Sequence, residues 1–326
     1  MRLDKYIFLE VLANDNGKRL DSILNKILNL SKALIIKHIR KGDIRLNGLK
    51  SHFSCRVCVG DKIYLYKSLA QSLNLTMNEC FKGNIDFQCI RKRIIYEDSD
   101  LLVLDKQRGV LVHGGKDSLD FLVNAYLLSQ NLRSLSFKPS AVHRLDRNTS
   151  GIIIFAKNIN AARKLSAAFS GGSIIKKYFA ILLGEVKSSV VYKNHLFRNK
   201  RLRKTFVLED KGVINAITKV NPILSSKRAT LAEIVIETGF THQIRSQCSF
   251  YNHPLINDKK YCDKFKKSDY FLHAFLVEFN GIFFKKNEFC SKPSLEFLKQ
   301  VKDIFGVYGF PEFFKRFFFK KNIKQG

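Results

Sequence analysis

Residues 141–158 read AVHRLDRNTSGIIIFAKN, an unbroken polar run from His143 to Ser150 that leads through Gly151 into the apolar stretch Ile152 to Ala156. The apolar stretch reads as a core strand, and the polar run as a loop held at its mouth. Within that loop Asp146 stands beside Arg147 and two residues from Arg144, so neighbouring positive charge favours an anionic carboxylate. An anionic Asp there can act as nucleophile or base, and it can equally hold the loop through an ion pair.

Working outward, IIYEDSDLLVLDKQRGVLVHGG (94–115) reads as two strands joined by the acidic turn Glu97, Asp98, Ser99 and Asp100, with glycines ending the second. The turn has no second ligand cluster to complete a divalent site, so no metal is expected. Downstream, THQIRSQCSFY (241–251) puts Ile244, Cys248 and Tyr251 on one helical face and Thr241, Arg245 and Ser249 on another. Arg245 can therefore reach a site while its helix is anchored, although a buried structural Arg has the same local pattern. Tyr178 precedes the apolar strand FAILL, where its ring either completes the core or stacks on a flipped base.

Toward the N-terminus, Leu20, Ile23, Leu24, Ile27 and Leu28 repeat with the period of an amphipathic helix that starts near Arg19. Ser31 caps a second helix whose Leu34, Ile35 and Ile39 face inward while Lys37, Arg40 and Lys41 share a cationic side. Gly42 stops it. Ile44 and Leu46 then alternate with charge up to the turn pair Asn47 and Gly48, and Gly60 and Asp61 precede the strand KIYLY. Two short helices with a basic face on a few short strands suit recognition of RNA shape and backbone. Residues 67–92 lack sustained periodicity and read as a linker.

The whole chain agrees with an RNA partner. In 326 residues, 57 Lys and Arg face 28 Asp and Glu, a formal charge of +29 that attracts a polyanion through counterion release. The length suggests a large core plus a smaller module. No apolar run approaches the ~20 residues of a membrane span, and the start lacks a secretory signal's continuous apolar segment, so a cytoplasmic protein is expected. Seven scattered cysteines fit reduced thiols, and Cys55 and Cys58 form a lone C-x-x-C without a second ligand pair.

Three blocks carry a family resemblance. HRLDRNTSG resembles the signature of the RluA family of pseudouridine synthases, KKYFAILLGEV resembles its K-x-Y segment, and TGFTHQIRSQCSFYNHPLINDKKYC resembles its GRTHQIR block. The resemblance implies that Asp146 is the catalytic carboxylate, that Arg245 pairs with it, that Tyr178 is the active-site tyrosine, and that Arg144 enters the RNA stack. GKRLDSILNKILNLSKALIIKHIRKGDIRLNG followed by VGDKIYLY resembles the αL RNA-binding module of the ribosomal S-four type, making Lys37, Arg40 and Lys41 RNA contacts.

The implied fold is α+β: a catalytic domain around a mixed, mainly antiparallel sheet with flanking helices, plus the small N-terminal αL domain. The implied division is 1–66 RNA-binding domain, 67–92 linker, 93–305 catalytic domain and 306–326 basic aromatic tail. Within the family the strings point to the branch that isomerises uridines of large-subunit (23S) ribosomal RNA. The implied enzyme needs no cofactor and no protein partner and works as a monomer. Phe240 stands where the family usually has Arg, Asn257 where Gly is common, Gln107 where Pro is frequent and Asn148 where Asp is frequent. A same-family synthase acting on transfer RNA and a non-catalytic ribosome-assembly protein are the alternatives. A glycoside hydrolase would need two facing carboxylates, and the blocks supply one.

Overall fold

The computed structural model describes residues 3–73, 87–115, 117–130, 134–208, 214–281, 284–307, 314, 315 and 317. The chain forms two compact units. One comprises Met1–Ile90 with Phe121–Ser140 and Lys157–Ile159, and the other comprises Arg91–Asp120, Ala141–Ala156 and Asn160–Gly326. Half of the stretch read as a linker, residues 74–86, lies outside the described residues.

The first unit contains β1 (Tyr6–Glu10), α1 (Leu20–Ile27), α2 (Lys32–Lys41), β2 (Ile44–Leu46), β3 (Lys62–Tyr66) and the single turn α3 (Gln88–Arg91). The strands form an antiparallel sheet in the order β1-β3-β2. Leu20, Ile23, Leu24 and Leu28 of the first helix bury against Ile35, Ile39, Ile44, Ile63 and Leu65. Each such side chain contributes about 1.5–3 kcal/mol of burial. Ser31 Oγ accepts the Leu34 N–H at 3.4 Å, and Gly42 ends α2 at φ 92°, in the left-handed region that favours glycine. Leu34 is a correction: it is 42% exposed, because only Ile35 and Ile39 of α2 turn to the core. Strand β1 was not evident in the sequence, since YIFLE is a short run flanked by Lys5 and ended by Glu10.

In chain order there follow β4 (Ile94–Glu97), β5 (Leu101–Lys106), α4 (Leu119–Ser129), β6 (Ser140–Ala141), β7 (Thr149–Ala156), α5 (Ile159–Ser170), β8 (Ile174–Leu183), β9 (Val190–Asn199), β10 (Lys204–Leu208), β11 (Ala216–Ser225), β12 (Ala229–Ile236), α6 (Gln243–Phe250), β13 (Leu272–Phe279), β14 (Glu288–Cys290) and α7 (Leu295–Phe305). The second unit is built on the strand path β10-β9-β11-β12-β8-β13-β7-β5-β4. Along this path the pairs are antiparallel except β13 with β7, so the sheet is mixed and mainly antiparallel, and the α+β expectation holds.

At the parallel pair, Gly151 sits at φ 105° against Ala274, whose carbonyl oxygen would lie 2.2 Å from any added Cβ. Glycine is thus required for β7 to reach β13, and that pairing sets down the polar run at the middle of the sheet. Tyr178 lies inside β8 rather than ahead of it, because the strand extends back to Ile174 through the alternating IIKK. Phe314 of the tail is buried against Phe179, and most of that tail lies outside the described residues. Among the described residues no helix is long and apolar enough to cross a membrane.

Candidate active site

The loop 143–150 is fixed from several sides. At the end of β5, Lys106 is buried, and its Nζ donates to the carbonyls of Gln107, Arg147 and Thr149 at 2.9, 3.0 and 2.7 Å. Burial pulls this ammonium down to about 7, with the charge of Asp146 opposing the shift. Arg147 returns a hydrogen bond to the Gly109 carbonyl, and Asn148 donates to Ser268 at 2.6 Å. His143 Nε2 accepts the Ile154 N–H at 3.1 Å, and its ring stacks on Phe169. Burial lowers His143 to about 3, so the imidazole is neutral and orders the loop.

Helix α6 presents Arg245, 5% exposed, whose Nη1 donates to Asp146 Oδ2 at 2.8 Å. Its Nε and Nη2 grip both oxygens of the buried Asp258 at 2.7 and 2.9 Å, a bidentate pair. Burial pulls the guanidinium down, and the bonds and charges of Asp258, Tyr270 and Asp146 outweigh it, so its pKa rises above the ordinary Arg value. Tyr270 O–H reaches Asp146 Oδ2 at 3.4 Å, and His242 Nε2 stands 3.7 Å from the same oxygen. Among the described residues no hydrogen bond engages Oδ1. Arg245, Tyr270 and His242 thus all converge on one carboxylate oxygen, Oδ2.

The helix is itself seated by buried amides. Gln243 donates to the Ile217 carbonyl and Thr218 Oγ1, and accepts from Thr238 Oγ1. Gln247 accepts from Thr218 Oγ1 and donates to Asn194 Oδ1 at 2.7 Å. Thr205 N–H donates to Tyr261 Oη, whose hydroxyl donates to His242 Nδ1 at 2.8 Å, which turns the Nε2–H of His242 toward Asp146. Burial lowers His242 to about 4, so it is neutral at pH 7. Tyr251, expected on the buried face of α6, is instead its C-terminal cap and stacks on Tyr192 with ring centroids 4.1 Å apart.

Asp146, Arg144, Tyr178, Phe240 and His242 line a cleft of about 540 Å³, large enough for a nucleoside. Tyr178 is nearly buried, and burial together with the charge of Asp146 raises its hydroxyl above the usual tyrosine range, so it stays protonated at neutral pH. The expected residues Asp146, Arg245 and Tyr178 thus converge, with exposed Arg144 at the mouth. Lys37, Arg40 and Lys41 lie exposed on α2 of the first unit, where Lys41 also stands 3.6 Å from Asp43.

Sequence reasoning missed Asp258, His242 and Tyr270. Asp258 and His242 fall inside the quoted string TGFTHQIRSQCSFYNHPLINDKKYC, but nothing local marks a lone Asp thirteen residues beyond an arginine as its partner. Asn257 stands at φ 64°, the region that explains a family glycine and that Asn tolerates best among other residues. Phe240 is 42% exposed on the cleft wall, and Gln107 accepts from Arg93 at 2.6 Å, so neither departure disturbs the Asp146–Arg245 pair.

An Arg-clamped Asp at a base-sized cleft on a mixed sheet makes a site suited to carboxylate chemistry on a nucleoside-sized substrate. Residues 100–250 match the family described as RNA pseudouridylate synthase. Ribosomal large subunit pseudouridine synthase C of Vibrio vulnificus is 32% identical over 266 residues, covering 76% of this chain and 78% of that one. Ribosomal large subunit pseudouridine synthase D of Buchnera aphidicola is 32% identical over 253 residues, covering 76% of each. The solved human RNA pseudouridylate synthase domain containing 4 shares the fold at a TM-score of 0.55 and 22% identity, covering 68% of this chain and 96% of that one. The chain belongs to the RluA family of RNA pseudouridine synthases and is RluC-like.

Proposed function

We propose that this enzyme isomerises specific uridines of large-subunit (23S) ribosomal RNA to pseudouridine, with Asp146 as its essential group. The carrying observation is the clamped carboxylate: Asp146 Oδ2 is held by Arg245, and Asp146 lines a cleft together with Tyr178. The substrate assignment rests on the large-subunit synthases that the chain resembles.

In the reaction the bond between ribose C1′ and uracil N1 breaks, the uracil turns while bound, and C1′ joins C5. The C5 proton is lost and N1 gains one, so atoms and electrons balance without an oxidant, reductant or cofactor. The uridine must first leave its stack, at a cost of a few kcal/mol. Arg144 fills the vacated place, since a guanidinium both stacks and binds phosphate. Asp146 acts on the ribose, as nucleophile at C1′ or as base at C2′. Arg245 and Asp258 aim it, and Tyr178 packs against the base as a neutral phenol. Residues 1–66 grip RNA through Lys37, Arg40 and Lys41, and the protein works as a cytoplasmic monomer.

The test is incubation of the purified protein with unmodified large-subunit rRNA and, separately, unmodified transfer RNA, followed by pseudouridine mapping. Modification at discrete rRNA uridines is expected. Modification of transfer RNA alone overturns the substrate assignment, and binding without modification of either points to an assembly factor.

A further inference from the structure

The outward side of the sheet's free end carries features that the site does not use. Strands β9, β10 and β11 pair antiparallel, with Phe197 opposite Phe206, Lys193 opposite Ile217 and Val191 opposite Lys219. Side chains alternate across these strands. Tyr192, Leu196, Thr205, Ala216 and Thr218 are buried on the side facing α6, and Val191, Lys193, Phe197, Phe206, Leu208 and Lys219 are exposed on the other. Phe197 is 51% exposed and Phe206 36% exposed, at opposed positions of paired strands where a soluble sheet would carry polar residues. Lys204 Nζ stands 5.8 Å from the Phe206 ring centre.

The segments that carry these rings are rich in cations, while Glu233 and Glu237 stand on the neighbouring strand β12 and its end. VVYKNHLFRNKRLRKTFVL (190–208) and INAITKVNPILS (214–225) contain no Asp or Glu, while Lys200, Arg201 and Arg203 crowd the connecting turn. Glu209 and Asp210 follow and lie outside the described residues. Exposed aromatics on paired strands among cations fit an unpaired nucleic-acid strand, whose bases stack on rings while its phosphates meet Lys and Arg. The RNA substrate proposed for the cleft is the partner at hand. The sheet ends at β10, so an RNA strand leaving the cleft reaches this side by rounding a single edge.

We propose that the outward face of β9, β10 and β11 is a second RNA-contact surface, stacking unpaired bases of the substrate RNA on Phe197 and Phe206 and holding phosphates with Lys193 and Lys219. The proposal rests on the large-subunit rRNA reading above. It predicts that the enzyme binds long rRNA fragments more tightly than a minimal stem-loop holding the same uridine.

The experiment compares wild type with Phe197→Ser/Phe206→Ser and with Lys193→Gln/Lys219→Gln, by filter binding to a long rRNA fragment and to the minimal stem-loop, with folding checked by thermal melting. The aromatic pair weakens binding of the long fragment by about tenfold or more and leaves the stem-loop Kd unaltered. The lysine pair flattens the dependence of log Kd on log salt for the long fragment by about one unit per lysine. Equal binding of the long fragment by wild type and variants, equal weakening on both RNAs, or no binding by any protein overturns the proposal. So does a wild-type dimer that the aromatic change dissociates in sedimentation, since the rings then serve a second copy of the chain. Binding is read without turnover, so wild type that binds but forms no pseudouridine refutes the substrate reading and leaves this comparison intact.

Discussion

Helices α2 and α6 are both short and both carry arginine offered to RNA chemistry, yet they are built in opposite ways. Helix α2 is a local object: Ser31 caps its start, Gly42 ends it in the left-handed region, Ile35 and Ile39 bury, and Lys37 and Arg40 point outward. Helix α6 is a long-range object. It opens at His242 with φ 58° and no side-chain cap, and six successive residues from Gln243 to Cys248 are buried, four of them polar or charged. A surface proposed to grip phosphates tolerates imprecision, whereas a carboxylate proposed to act on one ribose atom must be held to within about half an ångström by groups that are themselves fixed.

The largest difference should follow from cutting the ion pairs on α6. Arg245→Met strands Asp258 without its buried partner, and the protein should lose about 3–5 kcal/mol in urea unfolding together with its activity. Adding Asp258→Leu to that variant should recover part of the stability and none of the activity, because Asp146 stays unclamped. Full additivity of the two losses would show that the pair is not one unit. The matching change on α2, Lys37→Gln/Arg40→Gln, should alter stability by less than about 0.5 kcal/mol.

A middle-sized effect concerns pH. His143 and His242 are depressed to about 3 and about 4 by burial, while in the unfolded chain they titrate near the ordinary 6.5. Between those values the unfolded state binds the extra protons, so the stability these residues contribute is complete above pH 6.5 and drains away as pH falls. Each accounts for about 1.4 kcal/mol per pH unit within its window. His143→Gln keeps an acceptor for the Ile154 N–H and should lower the slope of unfolding free energy between pH 6 and 4 by that amount. An unchanged slope would show that His143 is charged in the folded protein.

The smallest effect belongs to α2. Lys37→Gln and Arg40→Gln should each reduce the slope of log Kd against log salt by about one unit, with kcat at saturating RNA maintained. A kcat that fell with the slope would remove the distinction between gripping and aiming.

The same contrast decides what the sequence made legible. Caps, apolar period and turn pairs are written within a few residues, so α1, α2, β2 and β3 could be placed from Leu20 to Tyr66. The core strand after Gly151 was equally plain, although the reason for its glycine, the Ala274 carbonyl, lies on a strand more than a hundred residues away. Asp146, Arg245 and Tyr178 were found because their strings resemble a family, since their local patterns also fitted an ion-paired loop, a structural arginine and a core ring. Asp258, Tyr270 and the Thr205–Tyr261–His242 chain stayed hidden because each is defined by a partner brought near only by the sheet. Leu34 was misplaced by the reverse error: its spacing fits the buried stripe, but a ten-residue helix resting on one small core has room for two isoleucines.

The central claim is that Asp146, clamped through one oxygen, performs the isomerisation. The most direct measurement is the single-turnover rate of pseudouridine formation on saturating large-subunit rRNA by wild type and Asp146→Asn, with RNA affinity measured in parallel. Modification by wild type, with Asp146→Asn slower by roughly 10⁴-fold or more at near-equal affinity, is the predicted result. Comparable rates from both proteins would contradict it.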